Sequence, residues 1–269
     1  MRLVTYDAGA GPRAGVLGDE GVVDAGAATV GEVLREGRLA ELASLDGDTI
    51  AGAQLLPPVT DPGKLICIGL NYRSHAEEQG AELPETPTFF AKFANALAPP
   101  GATVALPAYS SKVDYEAEVA FVIGRRAKDV AEADALDHVG GYMLLNDLSA
   151  RDMQFATPQW MPGKVFDGAA PCGPWLVTPD EAGPHDAIAI ELRLNGEVMQ
   201  SASTADLVHS VPALIAYLSK LMTLEPGDVV STGTPAGVGS LRDPRVWLKP
   251  GDEVVIESPT LGRLLTTLA

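Results

Sequence analysis

The feature that most constrains this chain is its punctuation. From residue 64 onward, apolar runs of strand length recur between Gly, Pro and Asn: Leu65 to Ile68, Thr88 to Phe90, Val119 to Ile123, Gly141 to Leu145, Pro174 to Val177, Ile188 to Leu194, Val229 to Ser231, Glu253 to Ile256 and Arg263 to Thr267. Runs too short for helices and closed off by turn formers specify a mostly-β chain with some α. Between Leu194 and Glu197, Asn195-Gly196 reads as a two-residue hairpin, because a type I′ turn needs positive φ at both central positions. Two helices interrupt the strands, Ala131 to His138 and Val211 to Leu224. Upstream, residues 1 to about 26 read as short strands with Gly turns, and Val30 to Leu45 carries Leu34, Leu39, Leu42 and Leu45 at helical spacing. The Pro-rich connector Leu55 to Gly63 marks a cut near residue 58. It separates a small N-terminal α+β subdomain, 1–58, from a main domain, 59–269.

Acidic residues outnumber basic ones 36 to 19, a formal charge of −17, and such a field repels phosphate backbones and anionic lipid surfaces. Nucleic-acid and membrane partners are therefore not expected. An acidic protein acting on an acidic substrate needs local positive charge, which directs attention to metal sites and Arg/Lys clusters. Cys67 and Cys172 have neither the number nor the spacing of a disulfide framework or zinc site and read as reduced core residues. No apolar run approaches the ~20 residues of a membrane span, and the N-terminus turns polar by Asp7, so the expectation is a soluble, cytoplasmic protein.

The stretch Val113-Asp114-Tyr115-Glu116-Ala117-Glu118-Val119 places Asp114, Glu116 and Glu118 on one face of a strand. A solvent-facing amphipathic strand has the same pattern. Here, however, the strand runs on as unbroken apolar residues to Ile123, as a strand covered on both faces does. Carboxylates entering such a strand need shifted pKa values, basic partners or a metal, and oxygen-only ligands suit a hard cation. Asp147, after the apolar strand Gly141 to Leu145, is placed to supply a third ligand. His75 and Glu78, three apart in a loop leading into a helix, are either a surface pair or an imidazole oriented by a carboxylate.

Asp114 to Glu118, Asn146 to Asp152, Lys164 to Asp167 and Ser231 to Gly239 resemble successive signatures of the fumarylacetoacetate hydrolase superfamily, in that family's order, over roughly residues 60–269. The likeness extends to its bacterial branch of 2-hydroxyhepta-2,4-diene-1,7-dioate isomerase-like proteins. The resemblance implies a rolled, mixed β-sheet, a homodimer, and Mg²⁺ or Mn²⁺, with Ca²⁺ also admissible, on Glu116, Glu118 and Asp147. It implies that Arg151, Gln154 and Thr234 bind substrate and that His75, Glu78 and Lys164 are catalytic. Asp114 is left out of the metal shell, and Glu77, His138, His185 and His209 are read as structural.

The activity expected from this set is hydrolytic C–C cleavage of a small 2,4-dioxo acid. Water activated by His75 and Glu78 attacks the distal carbonyl, the metal stabilises the departing enolate, and Thr234 with N–H groups of the Gly-rich loop receives oxyanion charge. The same enolate chemistry serves decarboxylation of an oxaloacetate-like acid or isomerisation of an unsaturated dioate. A metal-stabilised binding protein without turnover is the alternative of another class.

Overall fold

The computed structural model describes residues 1–269. Its main elements are strands β1 (Arg2–Asp7), β2 (Pro12–Leu17) and β3 (Val22–Asp24), helix α1 (Val30–Arg35), β4 (Leu65–Gly69), α2 (Arg73–Gln79), β5 (Thr88–Lys92), β6 (Val113–Asp114), β7 (Ala117–Ile123) and β8 (Val139–Asn146). They are followed by α3 (Arg151–Gln154), β9 (Ala170–Val177), β10 (Ala189–Leu194), β11 (Glu197–Ser203), α4 (Val211–Leu221), β12 (Val229–Ser231), β13 (Glu253–Ser258) and β14 (Gly262–Leu268).

One mixed sheet runs in the order β3-β2-β1-β9-β8-β7-β12-β4-β5, and a second packs β11-β10-β13-β14. The mostly-β reading holds. Every residue of β7 is buried, as its unbroken apolar run requires. Asn195 and Gly196 join β10 to β11 with φ of 51° and 86°, the positive values that the hairpin needs.

The N-terminal strands enter the same sheet: β1 pairs with β9 antiparallel, Arg2 opposite Val177. Leu3, Val30 and Leu34 share one apolar core with Val119, Leu144 and Val229. Two helical expectations are corrected. Val30 to Leu45 breaks after Arg35, where Gly37 takes φ 69°, and resumes as a 3-10 turn over Leu39–Ser44. Glu132–His138 is 3-10 throughout, its acid-rich sequence offering few apolar anchors for a full α-turn. Cys67 and Cys172 are free and buried, as expected, and burial pushes the Cys172 thiol up to about 12. No helix is long and apolar enough to cross a membrane.

Candidate active site

The strand holding the carboxylates is interrupted, and the interruption makes the site. Chain pairing stops at Asp114 and resumes at Ala117, leaving Glu116 between β6 and β7. Its N–H donates to Asn146 Oδ1 (3.2 Å), and its carbonyl accepts the Asp147 N–H (2.9 Å). Asp147 is thereby set beside Glu116 at the end of β8, and Glu118 follows within the paired strand opposite Leu145. Carboxylate oxygens of Glu116, Glu118 and Asp147 lie within 4.8 Å of one another, and all three residues are buried.

Asp114 leaves this face. Its carboxylate turns away to accept the N–H groups of Tyr115 (2.9 Å), Gly239 (2.7 Å) and Ser240 (3.0 Å) and the Nε–H of Arg151 (3.0 Å), with Arg151 Nη2 a further ion-pair contact at 2.9 Å. Strict alternation over Asp114, Glu116 and Glu118 therefore fails, because strand pairing breaks at Tyr115 and Glu116. Exclusion of Asp114 from the ligand set agrees with this geometry.

Lys164 Nζ bridges Glu116 (2.6 Å) and Asp147 (2.9 Å). Burial alone would lower its pKa, but the carboxylates of Asp147 and Glu116 outweigh that and hold the ammonium above the ordinary lysine value. Arg151 Nη2 reaches Glu116 Oε1 at 2.7 Å, and its Nη1 donates to Gln154 Oε1 at 2.9 Å. Burial opposes ionisation of Glu116 too, yet Arg151 and Lys164 bring its pKa below the usual range.

Glu118 fares differently. Burial, then the charges of Asp147 and Glu116, push its carboxyl well above the usual range, although the Ser231 hydroxyl and the Gly233 N–H (3.2 Å) donate to it. A divalent cation among the three oxygens would favour ionisation of all three, and an oxygen-only donor set suits Mg²⁺ or Mn²⁺. The triad fits such an ion.

The triad floors a cavity of about 420 Å³. His75, Arg151, Gln154, Lys164 and Thr234 line it as well, so all of the sequence-predicted residues except Glu78 meet at one wall. Glu78 stands behind His75: Nδ1–H donates to Glu78 Oε2 at 3.1 Å, while Gln79 Nε2 donates to His75 Nε2 at 2.7 Å. A carboxylate only accepts, so the proton sits on Nδ1 and the Nε2 lone pair accepts from Gln79, which lines the cavity beside His75.

Most N–H groups of the Gly-rich loop serve this chain's own acceptors, whereas those of Thr234 and Val238, both lining the cavity, have no partner within the chain. Gly233 N–H donates to Glu118, Ala236 N–H to Ser74 Oγ (3.4 Å), Gly237 N–H to Glu78 Oε1 (2.9 Å) and Gly239 N–H to Asp114. Thr234 is engaged too, its hydroxyl donating to Ala117 O (3.0 Å) and accepting from Gln200 Nε2 (2.8 Å). Glu77 is exposed, His138 meets the Arg125 carbonyl, His209 the Pro84 carbonyl and His185 the Asp186 carboxylate, all outside the cavity wall.

Lys92 escaped the sequence reading. Fully buried on β5, its Nζ lies 2.7 Å from Asp147 Oδ1, an ion pair rather than an aligned hydrogen bond, and donates to the carbonyls of Lys164 (2.6 Å) and Ala169 (2.8 Å). It ties the end of β8 to the connection 164–169 beside the triad. A lysine ending the apolar run Thr88 to Ala91 was the available signal.

The family pattern described as fumarylacetoacetate (FAA) hydrolase C-terminal matches residues 64–269. The chain is 47% identical over 212 residues to the mitochondrial oxaloacetate tautomerase fahd2 of Xenopus laevis, covering 78% of this chain and 66% of that protein, just under two thirds of its length. To the bovine (Bos taurus) mitochondrial oxaloacetate tautomerase FAHD2A it is 42% identical over 285 residues, 98% of this chain and 90% of the relative. The solved fumarylacetoacetate hydrolase of Exiguobacterium antarcticum superimposes with a TM-score of 0.87 at 32% identity, covering 100% of this chain and 99% of that one. On its sequence and on its fold, this chain belongs to the fumarylacetoacetate hydrolase family.

Proposed function

We propose that this protein is a divalent-metal-dependent enzyme that interconverts the keto and enol forms of a small 2-oxo acid, with oxaloacetate as its first candidate substrate. The observation that carries the reading is the disposition of donors. A base and an ammonium group share the cavity with the carboxylate triad, the set that proton transfer next to the carbonyl of a 2-oxo acid requires. The tautomerase relatives, at 42 and 47% identity, support it.

In this mechanism Glu116, Glu118 and Asp147 hold Mg²⁺ or Mn²⁺, which supplies Lewis-acid stabilisation of the enolate oxygen when bound. Arg151, fixed by Asp114 and paired with Gln154, orients the substrate carboxylate. With the Gln79 contact opened by the substrate, His75 Nε2 removes the proton at C3 and returns it in the reverse direction, while Glu78 stabilises the imidazolium through Nδ1–H. Lys164 Nζ, held protonated by Asp147 and Glu116, places positive charge beside the carboxylate triad and donates to two of its members.

Hydrolytic C–C cleavage, first in the sequence reading, is the second reading. The oriented His75–Glu78 pair and the likeness to a fumarylacetoacetate hydrolase favour it. Proton NMR of the Mg²⁺-loaded protein in D₂O separates the two. Accelerated deuterium exchange at C3 of oxaloacetate, with an acylpyruvate left intact, supports the tautomerase; conversion of the acylpyruvate to pyruvate and the released acid moves the assignment to the hydrolase. Pyruvate and CO₂ from oxaloacetate identify a decarboxylase. As part of the same proposal we assign a cytoplasmic homodimer, which light scattering at twice the chain mass would support.

A further inference from the structure

The two nitrogens of the His75 ring are held in different ways. Glu78, which accepts Nδ1–H, is itself fastened from outside α2, its Oε1 accepting the Gly237 N–H at 2.9 Å. Gln79, which donates to Nε2 at 2.7 Å, makes no other side-chain hydrogen bond. It is exposed, ends α2 and is followed by Gly80 at φ 64°. The partner on Nδ1 is anchored, and the partner on Nε2 is free to leave.

One short stretch supplies all three residues. Helical spacing puts Glu78 and Gln79 at i+3 and i+4 from His75, so both reach the same imidazole. The start of α2 is pinned as well: Ser74 N–H and Oγ–H both donate to Asp206 Oδ2, at 3.1 and 2.5 Å, and Ser74 Oγ accepts the Ala236 N–H. With the helix start and Glu78 fixed, the Gln79 carboxamide is the movable part of the arrangement.

An Nε2 lone pair that already accepts a hydrogen bond cannot take a proton from carbon, so the empty site holds this base capped. A reacting carbon has to come within about 3–3.5 Å of Nε2. The amide nitrogen starts 2.7 Å from that same atom and lines the same cavity, so oxygens flanking the reacting carbon arrive within its reach. A carboxylate or enolate oxygen is also a stronger acceptor for the amide than a neutral imidazole nitrogen.

We propose that Gln79 is a substrate-binding residue that caps the base of the empty site and passes its N–H to an oxygen of the entering 2-oxo acid, freeing Nε2 as it does so. The inference rests on the reading that His75 is the base. Diethyl pyrocarbonate, which reacts with the free lone pair of a neutral imidazole, tests the cap on the Mn²⁺-loaded protein. Peptide mass mapping follows each histidine, with His185, outside the cavity wall, as internal reference. Two variants keep the length of the side chain: Gln79→Met offers nothing to Nε2, and Gln79→Glu offers only an acceptor. In Gln79→Met, His75 reacts about two- to tenfold faster than in the wild type, the factor that one hydrogen bond of ordinary strength allows. In Gln79→Glu it reacts more slowly than in the wild type, because a carboxylate on each nitrogen holds the ring as imidazolium.

Enolisation of oxaloacetate moves the other way. Gln79→Met raises KM about two- to tenfold, more than it changes kcat, because a contact to bound substrate is lost. A more reactive base in a weaker enzyme is not what a loosened α2 produces, since loosening speeds modification in both variants. Equal reactivity of His75 in wild type and Gln79→Met, or acceleration in both variants, overturns the cap. Faster modification in Gln79→Met with KM unchanged or lowered overturns the transfer of the N–H to substrate. Wild-type enolisation by His75→Ala overturns the base reading and the proposal with it, whatever the reagent shows.

Discussion

Asp114→Asn probes the least visible part of the site. The carboxylate is fully buried and receives four hydrogen bonds, from three backbone N–H groups and Arg151 Nε, with Arg151 Nη2 ion-paired beside them. An asparagine can keep its oxygen toward Tyr115 and Gly239, but its NH₂ then faces Ser240 N–H and Arg151, so three contacts are lost and donors oppose donors. Two of the three are charge-assisted, and breaking a buried pair by neutralising one partner costs about 3–5 kcal/mol. Arg151 retains Glu116 and Gln154, which keeps the estimate within that range. At roughly 2–4 °C per kcal/mol for chains of this size, the melting temperature should fall by roughly 10 °C. Thermal unfolding followed by circular dichroism measures this directly. A loss under about 1 kcal/mol would refute the claim that Asp114 anchors Arg151 and the Gly239 loop.

Three further outcomes are expected. His75→Ala should lower kcat by about 10²–10⁴-fold with the melting temperature little changed, since the group lost is a general base and its partners Glu78 and Gln79 remain solvated at the helix; stopped-flow kinetics beside a melting curve checks both. Mn²⁺ added to chelator-treated protein at about a hundred times its Kd should raise stability by about 2.7 kcal/mol, and Glu118→Gln should reduce that gain, as calorimetric melting would report. The Arg13 guanidinium beside Asp24 holds that carboxyl well below the usual range. Its stabilisation is present above the unfolded value near ~3.9 and is lost as pH falls through the lower folded value, so Arg13→Met should flatten the acid limb of a melting-temperature profile below about pH 4.

Much of this was legible because local chemistry dictated it. The apolar run Val119 to Ile123 could only be a doubly covered strand, Asn195-Gly196 could only turn tightly, and Glu116 and Glu118 before that run needed positive company. What escaped depended on partners distant in sequence. Asp114 looked like a third member of a carboxylate face, and only the loop 125 residues on, through Gly239 N–H, shows why it turns away. Lys92 looked like the end of a strand, and its partners at Asp147, Lys164 and Ala169 are brought to it by two separate segments, the end of β8 and the connection 164–169. Within the Gly-rich loop, the N–H groups of Gly233, Gly237 and Gly239 are engaged by Glu118, Glu78 and Asp114, leaving those of Thr234 and Val238 for the oxyanion role expected of it, a division set by partners far away in sequence. The 3-10 turn over Leu39–Ser44 kept the leucine spacing of a helix but not its continuity, since Gly37 intervenes.

The central claim is that a metal-loaded carboxylate triad and His75 enolise a 2-oxo acid. Its most direct test is the decay of enol-oxaloacetate ultraviolet absorbance with chelator-treated protein, before and after one equivalent of Mn²⁺, against the same Mn²⁺ without protein. Our account predicts decay at the protein-free rate before addition, acceleration beyond the Mn²⁺ control after it, and loss of that acceleration in Glu118→Gln and His75→Ala. Acceleration that persists in metal-stripped protein, or none on Mn²⁺ addition, would contradict it.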